Sequence, residues 1–215
     1  MINIIKFLQM RHAVIIGPDD LLDLFLENTK DYYIYYSSLV RKKFWEKYSS
    51  INWIGHDYLN VENIQNCEYF LALKSNKKRH EITHNILKKG GTISKLIDKS
   101  SRIFKSANIG KGVIVYPLVT ISSFAEIDSY SVISYGTLIG HGVEIGESCF
   151  LAPNVKLLGD CKIGKFSMIS TGSTILPGIS IGDNCLIAPG ITIMKNVPSN
   201  SKVVSINGSL RILSL

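Results

Sequence analysis

The sequence predicts two kinds of structure in one chain, a small parallel α/β unit followed by a parallel β-helix. Three observations predict this. Short apolar runs alternate with helical patterns over the first ninety residues, an aliphatic residue then recurs at every sixth position, and small residues keep a fixed place between these aliphatic residues. The 215 residues suit one or two domains of roughly 100–200 residues each.

The amino-terminal part has the alternating pattern of strands and helices. Apolar runs predict strands at 12–17, 32–36 and 68–73, and helical patterns cover 20–28 and 77–89. The second helix is expected to bury one face formed by Ile82, Ile86 and Leu87, and to end at Gly90-Gly91. Strand–helix–strand order is typical of a small parallel α/β unit. Ligands of such units bind beyond the carboxyl ends of the strands and at helix N-termini.

The second part of the chain is an uninterrupted six-residue repeat. The aliphatic positions are Ile103, Ile109, Val115, Ile121, Ile127, Ile133, Ile139, Ile145, Leu151, Leu157, Ile163, Ile169, Ile175, Ile181, Ile187 and Ile193. A period of six is neither the helical period of about 3.6 nor the strand period of about 2, but it fits a short strand plus a corner. Three such sides make a triangular coil, and stacked coils bury one continuous core. Glycine often follows the aliphatic residue, where we expect it to supply the unusual φ of a corner.

Composition excludes several classes of protein. Charged residues make up 19% and hydrophobic residues 46% of the chain, which is not the composition of a disordered protein. No apolar run approaches the ~20 residues of a membrane span, and the amino end lacks the pattern of a signal peptide, so we expect a cytoplasmic protein. Four cysteines without CxxC spacing predict neither a disulfide framework nor a zinc site. Cys149, Cys161 and Cys185 take the small inward position of the repeat.

The net charge of +7 is unevenly distributed. Residues 1–102 contain 16 basic and 11 acidic residues, residues 103–197 contain six of each, and residues 198–215 contain two basic residues and no acidic ones. The basic clusters at 41–43, 77–79 and 88–89 fit solvated helix faces, a phosphate-bearing ligand or a nucleic acid. We expect no nucleic-acid partner, because no nucleic-acid-binding motif accompanies them.

The repeat resembles that of the hexapeptide-repeat, left-handed β-helix acyltransferases. Within that family the chain is similar to bacterial sugar acetyltransferases of the sialic-acid O-acetyltransferase and bacillosamine-pathway N-acetyltransferase type. The resemblance implies a Rossmann-like acceptor domain over 1–92, a left-handed β-helix over 93–197 and a tail over 198–215. It further implies acetyl-CoA as co-substrate, no metal, a homotrimer, and a sugar or sugar-nucleotide acceptor used in polysaccharide biosynthesis.

The resemblance also implies a catalytic site at one corner of the repeat. His141 stands at the third hexad position, where the relatives have a histidine that acts as general base; an imidazole suits this role because its ordinary pKa is near working pH. Gly159, one coil later, matches the residue whose N–H stabilises the oxyanion. Both residues also fit an ordinary surface corner. Asp160, one coil after Gly142, is our candidate for the carboxylate that orients the imidazole, because both neighbours of His141 are glycines.

In the relatives acetyl-CoA lies along a groove between two β-helices. The matching residues here are Gly159, Thr171, Gly172, Ala188, Pro189 and Lys195. The corresponding acceptor site includes Gly17, Asp19 and Lys74. The turn that begins at Gly17 departs from the family pattern, because Pro18 lacks an N–H and two aspartates follow, which are equally suitable as helix N-cap residues. Pro189 removes one backbone donor from the groove, and the tail lacks the usual Gly-x-Pro-Ala-Lys element.

Other functions are compatible with parts of the sequence. The γ-type carbonic anhydrases share the β-helix but need three histidines at zinc, and the repeat contains only His141. An O-acetyltransferase acting on a non-nucleotide small molecule and a non-catalytic β-helix paralogue both agree with the altered turn and tail. Nothing in the sequence separates N-acetylation from O-acetylation.

Overall fold

The computed structural model describes residues 11–29, 32–37, 51–54, 58 and 64–215. The basic cluster at 41–43 and the apolar amino end lie outside these residues. The amino-terminal strands are β1 (Arg11–Ile16), β2 (Tyr32–Ser37), β3 (Ile51–Trp53), β4 (Cys67–Leu71) and β5 (Thr92–Ile93). They form one parallel sheet in the order β3-β2-β1-β4-β5. Because β1 and β4 are parallel neighbours, Ile16 pairs with Leu71 and their carboxyl ends meet at one edge.

Two α-helices and one short 3₁₀ helix (Ile64–Asn66) accompany this sheet within the described residues. Helix α1 (Asp19–Asn28) buries Leu21 and Phe25, and helix α2 (Asn76–Lys88) follows a short loop after β4. The Ser75 hydroxyl caps α2 by accepting the Lys78 N–H at 3.4 Å.

The buried face of α2 differs from the predicted one. It consists of Arg79, Thr83 and Ile86, which are spaced four and three residues apart and so share one side of the helix. Leu87 is 43% exposed, and the prediction that it packs inward is wrong.

Each hexad of the repeat forms a two-residue strand and a corner. The strands are β6 (Leu96–Ile97), β7 (Arg102–Ile103), β8 (Asn108–Ile109), β9 (Ile114–Val115), β10 (Thr120–Ile121), β11 (Glu126–Ile127), β12 (Val132–Ile133), β13 (Leu138–Ile139), β14 (Glu144–Ile145), β15 (Phe150–Leu151), β16 (Lys156–Leu157), β17 (Lys162–Ile163), β18 (Met168–Ile169), β19 (Thr174–Ile175), β20 (Ser180–Ile181), β21 (Leu186–Ile187) and β22 (Thr192–Ile193). They stack as three parallel sheets, with neighbouring strands 18 residues apart.

The triangular coil has three corners, which we name for what lies at them. The histidine corner comprises the turns after β7, β10, β13, β16, β19 and β22. The helix corner comprises the turns after β8, β11, β14, β17 and β20, and the third corner those after β9, β12, β15, β18 and β21. The six-stranded sheet of β7 to β22 lies between the third corner and the histidine corner.

The core of the β-helix consists of the aliphatic position and the small fifth position of each hexad. From Val113 to Val203 these side chains form one buried cluster, with Ile103 and Ile109 partly buried at its start. Burial of each large aliphatic side chain contributes roughly 1.5–3 kcal/mol. Cys149 and Cys161 are fully buried in this core, and burial raises the pKa of each thiol to about 12.

Glycine plays a different part in the repeat from the one predicted. The left-handed φ falls at the fourth hexad position, as in Gly142 (φ 63°) and Asp160 (φ 61°). The glycines directly after the aliphatic residue are instead required by close approach of the next coil. A Cβ at Gly140 would lie 2.8 Å from the Gly159 nitrogen, and one at Gly146 would lie 2.7 Å from the Lys165 nitrogen.

The amino-terminal sheet and helices pack directly on the β-helix. Leu21 and Phe25 of α1 belong to one buried cluster with Ile114 of β9 and Val132 of β12. These two residues lie on the outer face of the β-helix sheet that contains β6, β9, β12, β15, β18 and β21. At the other end β23 (Ser201–Ile206) pairs in parallel with β21, and β24 (Ser209–Ser214) pairs antiparallel with β23. The proposed boundaries at 92 and 197 stay predictions. In the part of the chain described, no helix is both long and apolar enough to cross a membrane.

Candidate active site

His141 lies at an exposed turn of the β-helix. It occupies the third position after β13, at the histidine corner, and its side chain is 70% exposed. The Asp160 N–H donates to the His141 carbonyl oxygen at 2.8 Å, so the backbone of this corner is held by the next coil. The imidazole is therefore carried by rigid backbone and faces outward.

Gly159 lies directly under the imidazole. A Cβ built at Gly159 would lie 2.5 Å from both Cε1 and Nε2 of His141, and any side chain there would displace the ring. The Gly159 carbonyl accepts the Gly178 N–H at 3.0 Å, whereas its own N–H has no acceptor among the described residues. The His141 imidazole thus lies next to a backbone N–H that is unengaged in the described structure.

Asp160 lies beside the imidazole, at a distance longer than a hydrogen bond. Its Oδ1 is 3.7 Å from His141 Nδ1, and its side chain is also 70% exposed. A Cβ at Gly142 would collide with this carboxylate oxygen. Glycine at 142 therefore leaves the space that Asp160 occupies, which explains why no acidic side chain follows His141 directly.

The candidate cofactor residues fall on two different corners. Lys195 is exposed at the third position of the histidine corner, three coils from His141, or about 14 Å by strand spacing. Thr171, Gly172, Ala188 and Pro189 lie at the third corner, after β18 and β21. Within one chain these two groups are not brought together, although both corners border the six-stranded sheet.

Backbone donors at the third corner are largely engaged inside the β-helix. The Gly172 N–H donates to the Pro153 carbonyl at 3.0 Å, and the Ala188 N–H donates to the Val203 carbonyl at 2.9 Å. Pro189 has no N–H. Of the four residues, only Thr171 has a backbone N–H without an acceptor in the described structure.

The candidate acceptor residues meet at the carboxyl edge of the amino-terminal sheet. Gly17 follows β1 and is buried, and a Cβ there would lie 2.8 Å from Leu21 Cδ2 and 3.5 Å from the Cβ of Ala72. Asp19 is the first residue of α1, and Lys74 is exposed in the loop between β4 and α2.

The expectation that either aspartate of this turn is the N-cap residue is wrong. The N-cap of α1 is Pro18, and no side chain caps the helix. Asp19 and Asp20 belong to the first turn of the helix and not to the cap position.

Arg79 belongs to the basic cluster at 77–79, and no motif in the sequence distinguishes it from its two neighbours. Lys77 and Lys78 are exposed, but Arg79 is fully buried, where burial lowers its pKa to about 10. Its helical spacing from Thr83 and Ile86 is the signal that marks it as inward-facing. No group of three or more potential metal-ligating side chains occurs in the described part of the chain.

Comparison with known proteins identifies the repeat. The sequence profile of the bacterial transferase hexapeptide family (six repeats) matches residues 142–177 and 160–195. Among curated proteins, no sequence matches the chain significantly.

Solved structures match nearly the whole chain. PerB from Caulobacter crescentus, in complex with CoA and GDP-perosamine, has a TM-score of 0.79 at 20% identity, covering 93% of this chain and 97% of its own. A histidine-to-asparagine variant of perosamine N-acetyltransferase from Caulobacter crescentus, also with CoA and GDP-perosamine, matches at 19% identity with a TM-score of 0.80, covering 93% of this chain and 96% of its own.

Two further structures agree. The acetyltransferase domain of PglB from Neisseria gonorrhoeae, with acetyl coenzyme A, has a TM-score of 0.83 at 19% identity and covers 95% of this chain and 100% of its own. WeeI from Acinetobacter baumannii has a TM-score of 0.79 at 17% identity, covering 94% and 99%. Residues 142–195 are thus bacterial transferase hexapeptide repeats, and the chain has the left-handed parallel β-helix fold of these acetyltransferases, as the resemblance predicted.

Proposed function

We propose that the protein is an acetyl-CoA-dependent acetyltransferase that acts on an amino or hydroxyl group of a sugar, with a nucleotide-linked amino sugar as acceptor. One observation carries the proposal: the His141 imidazole lies over Gly159, whose N–H has no acceptor in the described structure. The presence of CoA or acetyl-CoA in solved structures of the same fold, with GDP-perosamine in two of those compared, supports the choice of substrates.

In the proposed reaction, the acceptor nitrogen or oxygen attacks the carbonyl carbon of the thioester while His141 takes the proton of the attacking atom. The carbonyl oxygen becomes an oxyanion that accepts a hydrogen bond from the Gly159 N–H; loss of one such donor typically lowers the rate by about 10²–10³. The C–S bond then breaks, and the imidazolium returns the proton to the departing CoA sulfur. No covalent acyl-enzyme is needed.

Asp160 is proposed to orient the imidazole. The 3.7 Å between Asp160 Oδ1 and His141 Nδ1 requires only a small rotation of either exposed side chain to become a hydrogen bond. With Nδ1 held in this way, Nε2 remains available to take the proton. Such second partners of a functional histidine fix its tautomer and its ring orientation.

The proposed site is completed by a second copy of the chain. The histidine corner and the third corner flank the same six-stranded sheet, so three copies packed around that sheet would set His141 of one copy against Thr171 and Gly172 of the next. Acetyl-CoA would lie between them, with Gly159, Ala188 and Pro189 beside the pantetheine chain and Lys195 near the nucleotide end. A homotrimer is therefore part of the proposal.

The acceptor is proposed to bind between the amino-terminal region and the β-helix. The parallel strand order and the carboxyl edge that joins Gly17 and Asp19 to Lys74 support a Rossmann-like acceptor domain over 1–92. Exposed Lys74 would attract a phosphate group. We place the enzyme in the cytoplasm, because all four cysteines are thiols, as is usual in a reducing compartment.

A second candidate is an acetyltransferase whose acceptor carries no nucleotide. The observation that favours it is the start of α1, where Pro18 occupies the N-cap position and Asp19 begins the helix. Pro18 offers no N–H, and the carboxylates of Asp19 and Asp20 repel phosphate. This candidate differs from the first only in its acceptor, so an acceptor panel separates the two.

The test measures thiol release from acetyl-CoA with free and nucleotide-linked amino sugars. We expect turnover with at least one sugar, a loss of about 10²–10⁴-fold in kcat for His141→Asn, and unchanged CoA binding by calorimetry. His84→Ala, at an exposed histidine of α2, is the matched control and keeps full activity. Asp160→Asn is expected to lower kcat about tenfold; an unchanged kcat and pH profile would refute its orienting role.

Full activity of His141→Asn would refute the mechanism. Wild-type protein that binds neither CoA nor any sugar would be a non-catalytic paralogue, and the proposed function would be wrong. Turnover restricted to free sugars would select the second candidate.

A further inference from the structure

Arg79 connects the amino-terminal region to the β-helix through a buried guanidinium. It lies in the first turn of α2, and the whole residue is inaccessible to solvent. Its Nη2 donates to the carbonyl oxygens of Ser148 and Cys149 at 2.7 and 2.9 Å, and its Nε donates to the Tyr130 carbonyl at 2.8 Å. These three acceptors all belong to the helix corner.

The other donors of Arg79 reach back into the amino-terminal region. Nη1 donates to the carbonyl oxygen of Leu73, and Nη2 also contacts Asn76 Oδ1 at 3.1 Å. Leu73 directly precedes Lys74, and Asn76 is the first residue of α2. One side chain therefore binds both the loop that carries Lys74 and two coils of the β-helix.

Asn76 extends the same connection to a third coil. Its Nδ2 donates to the carbonyl oxygens of Phe166 and Ser167 at 2.9 and 3.2 Å. Tyr130, Ser148 and Phe166 are 18 residues apart, so they mark the same corner in three successive coils. The loop between β4 and α2 is in this way fixed in register along the axis of the β-helix.

Stability alone does not explain why an arginine occupies this place. Its hydrogen-bonding acceptors are four carbonyls and one amide oxygen, and none is a carboxylate. A buried cation is costly to desolvate, and an apolar side chain of similar volume often gives equal or greater stability. The guanidinium instead fixes the relative position of the two regions, because its rigid, planar set of donors binds acceptors in both at once.

We infer that Arg79 is a positioning residue for the acceptor substrate: it sets the loop 73–76, and with it Lys74, at a fixed place relative to the β-helix that carries His141. The inference rests on the proposed function. It assigns no contact between Arg79 and substrate, since the residue is buried beneath the loop.

The test separates acceptor binding from co-substrate binding. Arg79→Lys keeps the charge but loses the fork, and Arg79→Met keeps the approximate volume but loses every donor. We expect the acceptor KM to rise about tenfold to a hundredfold, with Arg79→Met affected more, while the KM for acetyl-CoA and the pH profile of kcat stay as in the wild type. Thr83→Val on the same buried face removes a hydroxyl that has no partner among the described residues, and this matched control leaves both KM values unchanged.

Amide hydrogen exchange supplies a readout that needs no activity. In Arg79→Lys we expect faster exchange at residues 74–79 and unchanged exchange in the β-helix strands; if Arg79→Met does not fold, Asn76→Ala replaces it and gives a smaller rise in acceptor KM. Equal changes in both KM values, or unchanged exchange in the loop, would overturn the inference. Wild-type protein without transferase activity would refute the proposed function instead, and with it the acceptor role of Arg79, whereas the exchange result would still decide whether Arg79 positions the loop.

Discussion

The helix corner and the histidine corner are built by the same hexad but have opposite surroundings. At the helix corner the left-handed residues Tyr130 and Phe166 are half-buried, and Phe166 packs edge-on against His80 of α2 at 5.0 Å. At the histidine corner the equivalent residue Phe124 also has a left-handed φ of 60°, yet it is 72% exposed. The repeat thus determines the path of the backbone, while a separate element determines which corner is covered.

The interiors behind the two corners differ as well. Behind the helix corner the fifth position holds Ser131, Cys149 and Ser167, whose side chains donate to glycine carbonyls of the next coil at 2.8–3.1 Å. Behind the histidine corner the fifth position is apolar, as in Val143 and Cys161. The helix corner is therefore held together by hydrogen bonds from inside and by α2 from outside, whereas Phe124 and His141 at the histidine corner are exposed in the described structure.

The largest expected effect is a loss of activity on substitution of Gly159 at the histidine corner. In Gly159→Ala the new methyl group displaces the imidazole, because the Cβ would lie 2.5 Å from Nε2. We expect kcat to fall about 100-fold while the melting temperature changes by only a few degrees, since the exposed ring can move. Pro177→Ala, in the same row one coil later, is the control with normal activity. Normal kcat in Gly159→Ala, measured by thiol release, would contradict the placement of the base over this glycine.

An effect of intermediate size is expected when the residue with a left-handed φ is replaced by asparagine at each of the two corners. Phe124→Asn relieves a left-handed backbone that costs roughly 1–2 kcal/mol and removes little packing within its own chain, so we expect the free energy of unfolding of a single copy to rise by about 1 kcal/mol. Tyr130→Asn relieves the same strain but loses packing against Ile93 and its neighbours, so we expect a net decrease of about 1 kcal/mol. Urea unfolding measures both.

Sedimentation velocity on the same samples tests whether the exposed aromatic contacts another subunit. Weaker self-association of Phe124→Asn than of Tyr130→Asn would support burial of the histidine corner in the proposed trimer. A loss of stability in Phe124→Asn without any change in association would show that its ring packs within its own chain.

The sequence alone predicts the coils of the β-helix but not the contacts that other elements make with them. Period six alone predicts every strand from Ile103 to Ile193, and the 18-residue spacing alone places Gly159 beside His141. By contrast, the glycines directly after the aliphatic residues are required by the close approach of the next coil. Residue types alone do not predict that approach. The role of Arg79 depends on carbonyl oxygens more than 50 residues away in the sequence. The run of three basic residues therefore does not indicate which of the three is buried.

The smallest expected effect concerns the thiols behind the two corners, Cys149 at the helix corner and Cys161 at the histidine corner. Burial raises the pKa of each from the usual 9.0 to about 12, so between these pH values the unfolded chain loses a thiol proton that the folded chain keeps. Stability is therefore undiminished below pH 9 and falls as pH rises, by ~1.4 kcal/mol per thiol at pH 10. Urea unfolding at pH 8 and pH 10 measures the difference.

Substitution tests the two thiols separately. Cys149→Ser suits a row that already contains Ser131 and Ser167, and Cys161→Ala suits the apolar row; each should remove one thiol's share of the alkaline loss. Iodoacetamide labelling of the native protein at pH 8 compares the corners directly. Because both side chains are fully buried, equal and slow labelling is expected. Faster labelling of Cys161 would show that the uncovered corner opens more readily than the covered one, and that α2 stabilises the coils beneath it.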